Sequence, residues 1–184
     1  MLCYLIRHGK DDDTLRGGWS NTPLSKEGLR QVEILAETLA RDPMLNITHI
    51  YTSDLTRARQ TADAIANRLR VPVTCVPQFR EANNGALAGM KNTEALEKYP
   101  GLFWNTLGWE ERYPEGESPH EFYERVSKAW CEFAEDIQQS GDNVILVTHG
   151  GVINVILHRM KGLEYSNQTK PFPVKNAEVI SVEL

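Results

Sequence analysis

Apolar positions along the chain alternate between two periods. Residues 2–6 form a short apolar run, which predicts a buried strand. A polar loop follows, rich in Asp and Gly through Asp11-Asp12-Asp13 and Arg16-Gly17-Gly18-Trp19. Ser25 reads as a helix N-cap, and Leu29, Val32, Leu35 and Leu39 then recur at helical spacing, predicting a helix from about 26 to 41. Ile47 to Thr52 predicts a second strand. Ser53 or Asp54 is expected to cap the next helix, whose apolar face is Leu55, Ala58, Ala62, Ile65 and Leu69. Val71 to Val76 alternates and is β-branched, predicting a third strand.

Residues 80–117 break the pattern. Five glycines and the aromatics Tyr99, Phe103, Trp104, Trp109 and Tyr113 predict an irregular excursion. Order returns at Ser118-Pro119-His120-Glu121, a capping box with proline at the first helical position, followed by the stripe Phe122, Val126, Trp130, Phe133 and Ile137. Val144 to Val147 predicts a central strand. His149-Gly150-Gly151 leads into a helix carrying Val152, Val155 and Ile156, with His158, Arg159 and Lys161 at its basic end. Ala177 to Leu184 predicts a last strand. Strands alternate with helices, so the expected class is α/β, a mostly parallel sheet covered on both faces. A single domain over residues 1–184 is expected, with the 80–117 stretch as its substrate-side excursion.

Composition narrows the function. The 184 residues carry a net charge of -5 and a pI near 5.6, which gives no reason to expect a nucleic-acid partner. Cys3, Cys75 and Cys131 are widely spaced and odd in number, so neither a disulfide framework nor a thiolate zinc site is expected; buried small hydrophobes are. No apolar run approaches membrane-spanning length and the start lacks a signal peptide, so a cytoplasmic protein without a membrane partner is expected. No H-E-x-x-H or phosphate-binding glycine loop occurs. Asp11-Asp12-Asp13 reads as a solvated loop rather than a cation site. No cofactor and no metal are expected.

In an open α/β sheet, function gathers beyond the carboxyl ends of the strands. Arg7, His8 and Gly9 follow the first predicted strand, Arg57 the second, Arg80 and Glu81 the third, and His149 and Gly150 the fourth. Arginine forks suit the oxygens of a phosphoryl group. A neutral imidazole can attack phosphorus, and a carboxylic acid can hand a proton to the departing alkoxide. Plainer readings exist for each: His8 as a strand-end polar residue, His149 as a helix cap, Glu81 as an exposed carboxylate. Arg57 and Arg59 are two apart on a helix, so at most one is expected to reach the site. His49, His120 and His158 read as surface residues.

Taken together, Leu5-Ile6-Arg7-His8-Gly9, Pro23-Leu24-Ser25-x-x-Gly28, Tyr51 through Ala62, Arg80-Glu81-Ala82-x-x-Gly85-x-x-x-Gly89, Gly116-Glu117-Ser118, Val147-Thr148-His149-Gly150-Gly151 and Asn176-Ala177-Glu178-Val179 resemble the histidine phosphatase superfamily, the phosphoglycerate mutase-like proteins. The resemblance covers nearly the whole chain. It implies a three-layer α/β/α sandwich and usually metal-free chemistry. It implies that His8 is the phosphorylated nucleophile, that Arg7, Arg57 and His149 complete the phosphate pocket, and that Glu81 is the proton donor. Gly9, Gly150 and Asn21 would lie on the substrate side, Asn21 standing where many members have Asp. Lys10 replaces the Glu or Gln that often follows R-H-G, and the loop before Gly18-Trp19 is shorter.

The expected activity is hydrolysis of a small phosphorylated metabolite through a phosphohistidine. A phosphoglycerate-type mutase is the alternative, and a non-catalytic phosphate-binding module a third. The 99–117 stretch is aromatic and acidic, with Glu110, Glu111, Glu115 and Glu117, so seating a second anion there is expected to be costly and a phosphatase is favoured over a mutase.

Overall fold

A computed structural model describes residues 1–42 and 44–184. Five strands form one sheet: β1 (Leu2–Arg7), β2 (Ile47–Thr52), β3 (Val73–Cys75), β4 (Asn143–Thr148) and β5 (Val179–Glu183), in the order β3-β2-β4-β1-β5. β1, β2, β3 and β4 run parallel, and β5 closes the β1 edge antiparallel. The helices are α1 (Lys26–Ala40), α2 (Thr56–Leu69), α3 (Asn92–Lys98), α4 (Pro119–Ser140) and α5 (Gly150–Met160).

Side-chain alternation on the two central strands builds the layers. Cys3 and Leu5 of β1, with Val144 and Leu146 of β4, face Phe122, Val126 and Phe133 of α4 and Val152 and Ile156 of α5. Tyr4, Ile6, Ile145 and Val147 face the other way, onto Ala36 and Leu39 of α1 and Ala58, Ala62 and Ile65 of α2. Sealing a Leu, Ile or Phe side chain in either layer contributes about 1.5–3 kcal/mol. The result is a three-layer α/β/α fold with a mostly parallel sheet. No helix among the described residues is long and apolar enough to cross a membrane.

The helix ends follow local chemistry. Ser118 Oγ accepts from Glu121 N–H and Glu121 returns a bond to Ser118 N–H, so α4 begins in a complete capping box. It ends at Gly141 with φ of 75°. Ser25 Oγ likewise accepts from Gly28 N–H at 3.0 Å.

Several expectations need correction. Leu29 is exposed, and the buried face of α1 is Gly28, Val32, Ala36 and Leu39. A Cβ on Gly28 would come within 2.0 Å of the Lys10 carbonyl, so close approach to that loop sets the inward face of the helix. Neither Ser53 nor Asp54 is the N-cap of α2; Leu55 holds that position, with no side-chain cap. β3 is three residues long rather than six, an edge strand bracketed by Pro72 and Pro77. The 80–117 stretch is not wholly irregular, since it contains α3 and two turns of 3-10 helix. Cys3 is buried, but Cys75 is exposed and Cys131 half-buried. His158 is 3% exposed, not a surface residue. α5 is buried continuously from Val152 to His158, and the His158 ring packs edge-on against Tyr165 and Phe172.

Candidate active site

The carboxyl ends of β1, β2 and β4 bring four polar residues together, and the turn after β3 adds a fifth. His8 follows β1 and is 4% exposed. Its Nδ1 lies 2.7 Å from the Gly9 carbonyl. A carbonyl only accepts, so Nδ1 carries the proton and Nε2 keeps its lone pair. Arg57 Nε donates to that lone pair at 3.2 Å. Burial first, then the Arg57 charge, with a smaller push from Arg7, lower the His8 pKa to about 3 against the opposing Gly9 carbonyl. His8 is therefore neutral at physiological pH.

Arg57 sits in the first turn of α2 and is 2% exposed. Its Nη1 donates to Ser20 O at 3.0 Å and its Nη2 to Gly18 O at 2.8 Å, which anchors the 11–20 loop to the site. Asp11 Oδ2 approaches its Nε at 3.4 Å, so Asp11 belongs to the site margin while Asp12 and Asp13 are the solvated part of the triplet. Arg59 is exposed. Arg7 donates from Nη1 to Val174 O at 2.6 Å, and its Nε is buried without a protein partner. A Cβ on Gly150 would lie 3.6 Å from that Nε, so the arginine packs directly on the start of α5.

His149 is fully buried, its ring centre 5.0 Å from that of His8. Its Nε2 meets Ser53 Oγ at 2.8 Å, and its Nδ1 has no protein partner. Burial, and then the Arg57 charge, hold its pKa well below the usual histidine value. It is set up as a neutral hydrogen-bonding group rather than a cation.

Glu81 follows β3. One carboxylate oxygen accepts from Gly151 N–H and the other from Ala82 N–H, both at 3.1 Å. A Cβ on Gly151 would fall 2.3 Å from Glu81 Oε1, so only glycine lets the acid lie against α5. Its segment is clamped from behind. Arg125 of α4 forks onto Glu117 and donates to the carbonyls of Gln78, Arg80 and Glu81. Trp19 Nε1 donates to Glu81 O at 2.7 Å. Arg80, placed at the same edge by the sequence, instead pairs with Asp54 and covers the Trp19 ring.

Two substrate-side expectations look different in three dimensions. Gly9 N–H is taken by Thr61 Oγ1 at 3.1 Å, and a Cβ there would strike Val32 Cγ2 at 2.7 Å. Packing against α1, not the approach of a ligand, requires this glycine. Asn21 is exposed and is not part of the cavity wall.

Beside the cluster lies a cavity of about 330 Å³, bounded by Glu81, Gly151, Gly18, Trp104, Tyr113 and Tyr165 among others. His8, Arg57 and His149 are not part of its wall; Glu81 joins the two regions. The excursion supplies Phe103, Trp104 and Tyr113 to the wall, but Trp109 faces a separate groove with Tyr123. Asn167 Nδ2 ties the excursion down through Trp104 O at 2.7 Å and Leu107 O at 3.0 Å. Ser53, Asp11, Arg125 and Asn167 carry no signature in the sequence that marks these roles.

Comparison with known proteins shows the family. The profile of the "Histidine phosphatase superfamily (branch 1)" matches residues 3–184. The Escherichia coli protein named "Probable phosphoglycerate mutase GpmB" is 34% identical over 169 residues, 89% of this chain and 76% of that one. A Schizosaccharomyces pombe protein named as a probable phosphatase is 33% identical over 160 residues, 85% of this chain and 71% of that one. The solved α-ribazole phosphatase of Shigella flexneri superposes with a TM-score of 0.84 at 25% identity, covering 100% of this chain and 91% of that one. A mycobacterial glucosyl-3-phosphoglycerate phosphatase gives 0.80 at 26%, covering 99% and 89%. With its buried histidine pair, its arginines and a family profile matched nearly end to end, this chain belongs to the histidine phosphatase superfamily.

Proposed function

We propose that the chain is a phosphomonoesterase for a small phosphorylated metabolite and that it works through a phosphohistidine at His8. The observation that carries this is the His8 ring: Nδ1 is pinned by a carbonyl, and the Nε2 lone pair lies beside an arginine. In the first step Nε2 bonds to phosphorus as the ester P–O bond breaks. Glu81, in its protonated form, gives its proton to the departing alkoxide. Arg7, Arg57 and the N-terminus of α5 at Gly150 hold the charge on the equatorial oxygens, with His149 as a neutral donor or acceptor. In the second step Glu81 takes a proton from water, the water oxygen bonds to phosphorus, and the N–P bond breaks. The relatives named as phosphatases support the reaction class. No step calls on a metal.

The test is His8→Ala with labelled substrate. Wild type is expected to accumulate an acid-labile, alkali-stable label on the protein, and the variant to lose at least about 10³-fold in kcat/KM with no label. Retained turnover would overturn the reading. The relative named for mutase activity motivates one control: isomerisation of 3-phosphoglycerate with bisphosphoglycerate primer is expected to be slow against phosphate release. We further take residues 1–184 as one domain, and the free thiols of Cys3, Cys75 and Cys131 support a cytoplasmic location.

A further inference from the structure

Two cations in the cavity wall have no part in the chemistry at His8. Arg16 and Lys170 both line the cavity. The Arg16 guanidinium lies 4.5 Å above the Phe103 ring, and its Nε is buried without a partner. Among the described arginines that are not exposed, Arg7, Arg57, Arg80 and Arg125 all donate to a carbonyl or a carboxylate. Arg16 alone in that group makes no side-chain hydrogen bond and no ion pair. A partly desolvated guanidinium left this way is costly unless an anion meets it. The protein does not supply one. Among the described residues Glu81 is the only carboxylate of the wall, and both of its oxygens are occupied by backbone N–H groups. The glutamates of the 99–117 stretch point elsewhere: Glu110, Glu111 and Glu115 are exposed and outside the wall, and Glu117 is consumed by Arg125. The repulsion of a second anion expected from the acidic 99–117 stretch is therefore absent, because none of its glutamates lies in the wall.

We propose that Arg16, seated on Phe103 and joined by Lys170, forms a second oxyanion subsite. The substrate is then a phosphomonoester whose alcohol portion carries a carboxylate or a second phosphate. This rests on the reading of the His8 site as a phosphatase. The size of the cavity suits a small metabolite.

Calorimetry with matched pairs on the His8→Ala protein tests it without turnover. One pair is 3-phosphoglycerate against glycerol 3-phosphate; the other is fructose 1,6-bisphosphate against fructose 6-phosphate. In at least one pair the member with the second anionic group is expected to bind about 10- to 100-fold more tightly, and which pair responds tells carboxylate from phosphate. Adding Arg16→Met, which keeps the stem on Phe103, is expected to reduce the preference below threefold, and Arg16→Lys to restore part of it. Affinity for inorganic phosphate and for the member that lacks the second anionic group should stay within twofold. Equal binding within both pairs overturns the subsite. So does a loss of phosphate affinity in Arg16→Met as large as the loss for the member with the second anionic group, which would assign Arg16 to the transferred phosphoryl. Wild-type turnover, read separately through His8, decides the phosphatase reading itself.

Discussion

The phosphoryl cluster and the adjoining cavity are built on opposite plans. In the cluster, His8 and His149 lie within two residues of a strand end and Arg57 in the first turn of the helix after β2. These side chains are sealed from solvent and held by backbone carbonyls or neighbouring hydroxyls. The cavity takes its wall from the 16–18 loop, the 81–84 turn, the excursion, α5 and the 165–170 segment. The first plan fixes one chemistry, because moving any member disturbs the sheet. The second allows the leaving group to be changed by altering loops that carry little of the fold.

That contrast can be broken by experiment. Arg57→Met should have the largest effect, about 10³-fold in kcat/KM, and it should strike every substrate alike because Arg57 serves the shared phosphoryl. Steady-state kinetics on three unrelated phosphoesters would show it; a substrate-dependent loss would place Arg57 in the cavity's plan instead. Gly151→Ala comes next. Its Cβ would displace Glu81, so kcat/KM for an alkyl phosphate, which reports the step that phosphorylates His8, should fall about 10²-fold, while that for p-nitrophenyl phosphate, whose leaving group needs little protonation, should fall less than about tenfold. Equal losses would argue that Glu81 is not the proton donor. Arg125→Ala loosens the Glu81 segment from behind. A kcat loss of roughly tenfold with nearly unchanged KM is expected, larger for an alkyl phosphate than for p-nitrophenyl phosphate, with partial rescue by Arg125→Lys; equal losses on the two substrates would reduce Arg125 to packing.

The smallest effect is on stability. Folding lowers the His8 pKa to about 3 and depresses that of His149. Between the unfolded value near 6.5 and those lowered values, the unfolded chain binds the protons. Stability is then fully present above about pH 6.5 and falls as pH drops below it. Melting temperature should decline by roughly 3 °C or more from pH 7.5 to 5, and His8→Gln should decline less. An identical slope in the variant would deny that His8 is buried neutral.

Most of the fold was readable from periodicity. Ile6, Val147, Ala58 and Phe122 follow the patterns of strand and helix, and the capping box at Ser118 marks its helix without ambiguity. Misreadings arose where a backbone approach outweighs pattern: Gly28 against Lys10 decides which face of α1 is buried, so Leu29 is left outside. Histidine 158 shows the same limit, since nothing in its basic neighbourhood announces that Tyr165 and Phe172 will cover it.

The amino-acid order alone establishes which residue types stand at the strand ends, and hence that an imidazole, arginines and an acid can meet, because strand direction in a parallel sheet is a local and repetitive property. Tertiary structure decides what those residues become. It places an arginine beside His8 Nε2, across 49 residues. It presses Gly151 against Glu81 across 70 residues. It turns the acidic excursion outward and leaves Arg16 unpaired in the wall. Charge state and pairing depend on burial and distance, and those are set by segments far apart in the chain.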